Sequence, residues 1–151
     1  MSEFDRLSAL INRFSLKVTP QQGQQVNLMV LQDKKTGQPT QILLAPLSFL
    51  PKQTLVDEHV MFSAHTDWGG RDNPLFATLP RLVEINIDRN SDLSMLARLL
   101  KTEAEAQRCG AGGALNRLGE VLMISILREQ IELGSTAPGL LNGLADSRLS
   151  R

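Results

Sequence analysis

Two histidines, one cysteine and scattered serines are the side chains here best suited to metal binding or nucleophilic chemistry. His59 and His65 fall in one apolar run. If that run is an extended strand, six residues hold them roughly 20 Å apart, too far to share an ion. Cys109 lies in a later, helical stretch, so the three or four ligands of a zinc site are not assembled. No serine stands in a Gly-x-Ser-x-Gly turn, and nothing places a histidine beside a serine or beside Cys109. Gly110, Gly112 and Gly113 precede a helix, as the glycines of phosphate loops do. However, no Lys-Ser or Lys-Thr follows, and the preceding element is a helix rather than a strand. A helix-to-helix turn is the simpler reading. The sequence therefore predicts no catalytic residue, no metal and no cofactor.

The remaining polar clusters have ordinary uses. Glu103, Glu105 and Arg108 fit a solvated helix face, and Arg128 with Glu132 fits a surface ion pair of small energy. Asn116, Arg117 and Glu120 flank an apolar helix; they could cap or bridge, but solvation is the favoured reading. The most distinctive string is Trp68-Gly69-Gly70-Arg71-Asp72-Asn73-Pro74-Leu75. A lone tryptophan before two glycines and an Asn-Pro step implies a shaped turn, with the indole covering the core or a pocket mouth. A structural role is preferred to ligand contact.

Three kinds of element must carry these residues. Phe4, Leu7, Leu10, Ile11 and Phe14 recur at spacings of three and four, which predicts a short helix over residues 3–14. From residue 26 to 88 short β-rich runs follow (26–31, 41–45, 60–66 and 82–88), punctuated by glycine and proline. In the last of them Val83, Ile85 and Ile87 alternate with Glu84, Asn86 and Asp88, so one face is buried. Lys34-Lys35-Thr36-Gly37 predicts a hairpin between the first two runs. Asn90-Ser91 then opens a helix with Leu93, Leu96, Leu99 and Leu100 as its stripe, closed by Gly110. A more apolar helix is expected over 113–133 and a third from Pro138.

The arrangement is α+β in a single domain over 1–151, with a β-rich part at about 15–88 and a helical part at about 90–151. Sixteen basic residues balance sixteen acidic ones, which argues against strong DNA binding by this chain alone. Aromatics make up 4% with no tyrosine, too few for a single-strand stacking platform. With no secretory signal and no apolar run of membrane-spanning length, a cytoplasmic location without membrane contact is expected.

Five separated strings carry a resemblance over nearly the whole chain. They are Asp5-Arg6-Leu7-Ser8 with Arg13-Phe14, Trp68-Gly69-Gly70 with Asn73-Pro74-Leu75, residues 103–110 (EAEAQRCG), residues 115–122 (LNRLGEVL) and residues 137–149 (APGLLNGLADSRL). In this order they resemble the cupin-type N-terminal regulatory domain of AraC-type bacterial transcription regulators. The resemblance implies a cupin β-barrel that senses a small molecule, helices that mediate dimerisation, and a DNA-binding domain with two helix-turn-helix motifs beyond Arg151. The segment between Phe14 and Trp68 is shorter than usual in the family, and no His-x-His with a following Glu occurs. The expected β part is therefore a reduced cupin-like barrel or sheet without a metal.

The expected function is effector sensing, dimerisation or both, with DNA reached only through the further domain. A stand-alone interaction module and, last, a small cupin-like enzyme are the alternatives. Phe62, His65 and Trp68 are the candidate effector contacts, although in an unbroken strand His65 faces away from the other two. Leu115, Leu118, Leu122 and Ile126 are the candidate homodimer interface, because their helix carries more apolar surface than one small core needs.

Overall fold

The structure, a computed structural model, describes residue 9 and residues 13–21, 25–50, 59–69, 72–87 and 91–133. Five strands form one antiparallel sheet: β1 (Lys17–Pro20), β2 (Leu28–Gln32), β3 (Pro39–Leu44), β4 (Val60–Asp67) and β5 (Val83–Asn86), in the spatial order β1-β4-β2-β3-β5. A one-turn helix, α1 (Pro74–Ala77), precedes β5. Two long helices, α2 (Ser91–Ala106) and α3 (Ala111–Leu133), follow it. The α+β expectation holds. The helices expected over 3–14 and from Pro138 lie largely and wholly outside the described residues.

The β2–β3 hairpin forms where the Lys-Lys-Thr-Gly string predicts it. Asp33 organises the turn: its Oδ1 accepts from the Lys35 and Thr36 amides at 2.7 and 3.1 Å. Gly37, at φ +72°, donates back to the Asp33 carbonyl at 2.8 Å. These donors, Thr36 first and then Lys35, hold the exposed Asp33 carboxyl below the ordinary aspartate range.

Alternation along the strands sends Val18, Leu28, Val30, Ile42, Leu44, Ala64, Val83 and Ile85 to one face, all buried in the main core. Helix α2 covers this face over β3 and β4, and α3 covers it over β1. The alternation is broken once. Leu31 pairs with Val60 and Val30 with Phe62, so Met61 is an extra residue, and Met61 and Phe62 are both buried in succession.

β1 was not anticipated, because Lys-Val-Thr-Pro offers a single apolar residue and runs into a glutamine-rich stretch. It is held from two sides. Its register with β4 pairs Lys17 with Asp67 and Thr19 with His65. On its outer side the Val18 amide donates to Asn116 Oδ1 of α3 at 2.8 Å, so Asn116 is a bridge to the sheet rather than a solvated group. Helix and strand approach so closely that a Cβ on Gly119 would lie 2.5 Å from Val18 Cγ2 and 3.0 Å from Leu16 Cδ2.

The connection between α2 and α3 also differs from expectation. Helix α2 ends at Ala106, before Gly110; Gln107 takes a left-handed φ of +50° and Gly110 one of +84°. Helix α3 then starts two residues earlier than the predicted Gly113.

Candidate functional site

The three expected effector contacts do not converge. Phe62 and Trp68 face the helix-covered core, whereas His65 is half-buried on the opposite face. Trp68 is completely enclosed. Its Nε1 donates to the Phe14 carbonyl at 3.0 Å, and its ring meets Phe76 edge-on with centroids 5.5 Å apart. Gly69 and Asn73 of its string shape the chain around it. Gly69 sits at φ +82°, where a Cβ would strike Phe14 at 2.8 Å. Asn73, fully buried, donates to the Trp68 carbonyl at 2.7 Å and accepts the Leu75 amide at 2.9 Å as the N-cap of α1. Gly69, Asn73 and Leu75 thus serve the fold, and Phe62 and Trp68 lie in the core.

His65 keeps a place on a different surface. The sheet face away from the helices carries Met29, Leu31 and Leu43, all half-buried, with Ser63 and His65 beside them. The segment after β3 folds partly over this face. The Ala45 amide donates to the Asn27 carbonyl and the Leu50 amide to the Val26 carbonyl, each at 2.8 Å, and Val26, Ala45 and Leu50 form a small second core against Met29 and Leu43. Phe49 remains 50% exposed, its ring 5.9 Å from that of His65 and tilted by 45°. Sequence reasoning missed Phe49, Met29 and Leu43. The signal was present: β2 and β3 read Leu-Met-Val-Leu and Ile-Leu-Leu, apolar at both parities, as strands do when both faces are partly covered.

Asn27 fastens the end of this face. Its side chain imitates a backbone amide: Oδ1 accepts from the Thr66 amide at 2.8 Å and hydroxyl at 3.0 Å, and Nδ2 donates to the Thr66 carbonyl at 3.0 Å, all out of solvent.

The residues expected at a dimer interface pack largely within the chain. Leu115, Leu122 and Ile126 are buried against the chain's own sheet, and Leu118 is half-buried at the margin of that core. A side chain already packed in one protomer is not offered to another. The helices expose other apolar residues instead: Met95 (62%) and Leu99 (44%) one turn apart on α2, and Val121 (48%) on α3.

Among the described residues no three His, Cys, Asp or Glu side chains are grouped closely enough to hold a metal ion. Arg108 pairs with Glu103 across the end of α2, beside an open cleft of about 450 Å³ between the two helices and Pro20. Cys109 is exposed in the same connection. Among the described residues no helix is long and apolar enough to cross a membrane.

A comparison with protein families agrees with the architecture. A family model described as Cupin matches residues 12–132, the span that holds all five strands, α2 and all but the last residue of α3. No curated protein and no solved structure matches the chain significantly. With four-fifths of its length matched to one family and an antiparallel sheet backed by C-terminal helices, the chain belongs to the cupin family.

Proposed function

We propose that this chain is the effector-sensing and dimerising part of an AraC-type transcription regulator, acting on DNA through a helix-turn-helix domain beyond Arg151. The observation that carries the proposal is the asymmetry of the sheet. One face is sealed by α2 and α3, and the other presents a half-exposed apolar patch bordered by His65 and Phe49, a surface suited to a small molecule with an apolar body and one polar group. The proposal assigns the chain no catalysis and no cofactor. Self-association is assigned to the exposed residues of the helical layer, Met95, Leu99 and Val121, in place of the buried leucines.

Sedimentation equilibrium across a wide concentration range tests the association. The wild type is expected to dimerise and Met95→Asp/Leu99→Asp to remain monomeric with unchanged circular dichroism. A wild type that stays monomeric at the highest concentration overturns this part. The regulatory part is tested by reading the gene past Arg151. Two helix-turn-helix patterns on a basic domain support it, and a stop codon there turns the proposal to a stand-alone interaction module.

A further inference from the structure

A second cleft, of about 220 Å³, lies between the segment leaving β3 and the segment entering β5. Pro46, Leu47, Phe76, Leu79 and Pro80 supply its walls, and Ser48 and Arg81 are its polar lining. Most of these walls are held by the fold, whereas Leu47 is 40% exposed. Two of the five are prolines with fixed φ, and Phe76 is 1% exposed and held edge-on by Trp68. Leu79 is also buried, its amide donating to the Phe76 carbonyl at 3.2 Å. Arg81 is exposed and lines this hollow, and it meets no carboxylate among the described residues.

We infer that this cleft binds a small organic carboxylate, with its apolar body against Leu47 and Pro80 above the buried Phe76 and Leu79 and its carboxylate on Arg81. The guanidinium fork matches a carboxylate with two parallel hydrogen bonds, which selects a planar anion over a neutral amide of equal size. The volume sets the size class. It falls below the roughly 300–1,000 Å³ of pockets for drug-sized ligands, so the occupant carries one ring or one short branched chain. Ser48, exposed at the rim, tolerates a polar substituent on that body. The inference does not rest on the regulatory reading, because it concerns only what the folded chain binds.

An amide-resolved NMR titration of the whole chain tests it, with phenylacetate and isovalerate as probes and their neutral amides as controls. Expected are saturable shifts at Leu47, Ser48, Leu79 and Arg81, with each acid at least fivefold tighter than its amide. Arg81→Gln, a surface change, is expected to erase that preference while leaving the amide's weak affinity in place. Ser48→Trp, which fills the hollow from its rim, is expected to abolish binding of both. Shifts that map elsewhere, an unchanged acid preference in Arg81→Gln, or no saturation by either acid at tens of millimolar would overturn the inference. None of these results touches the dimerisation or the open-face reading.

Discussion

Ile42 and Leu43 are neighbours on β3 and lead different lives. Ile42 is fully enclosed between the sheet and the helices; Leu43 lies half-buried on the open face against a three-residue cluster. The contrast holds across the sheet. Leu28, Val30 and Leu44 are sealed, whereas Met29 and Leu31, one position away, keep contact with solvent. Stability therefore resides in the helix-covered face. The open face can change its residues without dismantling the core.

The largest test of that contrast sets Ile42→Ala against Leu43→Ala. Loss of the sealed side chain is expected to cost about 2–5 kcal/mol, against roughly 1 kcal/mol for its half-exposed neighbour. Urea denaturation measures both, and equal losses would break the comparison. Next comes the closest approach on the covered face. Gly119→Ala forces a methyl into Val18 and is expected to cost about 1–3 kcal/mol. Gly112→Ala, with nothing within 4 Å, is expected to be neutral or slightly stabilising in the same assay. At the shared end of the two faces, Asn27→Ala leaves buried Thr66 groups without their partner and is expected to cost about 1–3 kcal/mol. A Thr66 amide that keeps slow hydrogen exchange in this variant would show that the clasp is dispensable.

The smallest expected effect is at the solvent-exposed hairpin. Because the folded Asp33 carboxyl is depressed, its contribution is fully present above the unfolded value near 3.9 and is lost as pH falls through the lower folded value. The stability gap between the wild type and Asp33→Ala is therefore expected to be constant at neutral pH and to narrow below about pH 4. A gap that widens on acidification would refute that assignment.

How much of this was legible depended on whether a residue's partner lies nearby in sequence. The hairpin at residues 33–37 and the alternation of β5 were readable because turn chemistry and strand period are local. The Trp68 string was readable as a turn for the same reason. What covers the apolar face of α3 was not legible, because a broad apolar helix face looks the same whether it packs on its own sheet or on a second copy. Leu115, Leu122 and Ile126 carry no mark of which. β1 was invisible because its partners, His65 and Asp67 on one side and Asn116 on the other, are far along the chain. Gly119 reads as a weak spot in a helix until the strand crossing it is known. Phe62 and His65 were separated correctly by parity, because the Met61 bulge precedes both and leaves the count between them intact.

The bond from Val18 to Asn116 spans 98 residues. During synthesis β1 leaves the ribosome first, yet the groups that seal its outer edge come last. Ring closure over such a distance is slow compared with a hairpin, so the sheet must exist for a time with a raw flank. In that interval a second nascent chain can add its own strand where α3 belongs. Slower elongation through residues 68–119 is therefore expected to raise the share of paired chains, which size-exclusion of freshly made protein would read.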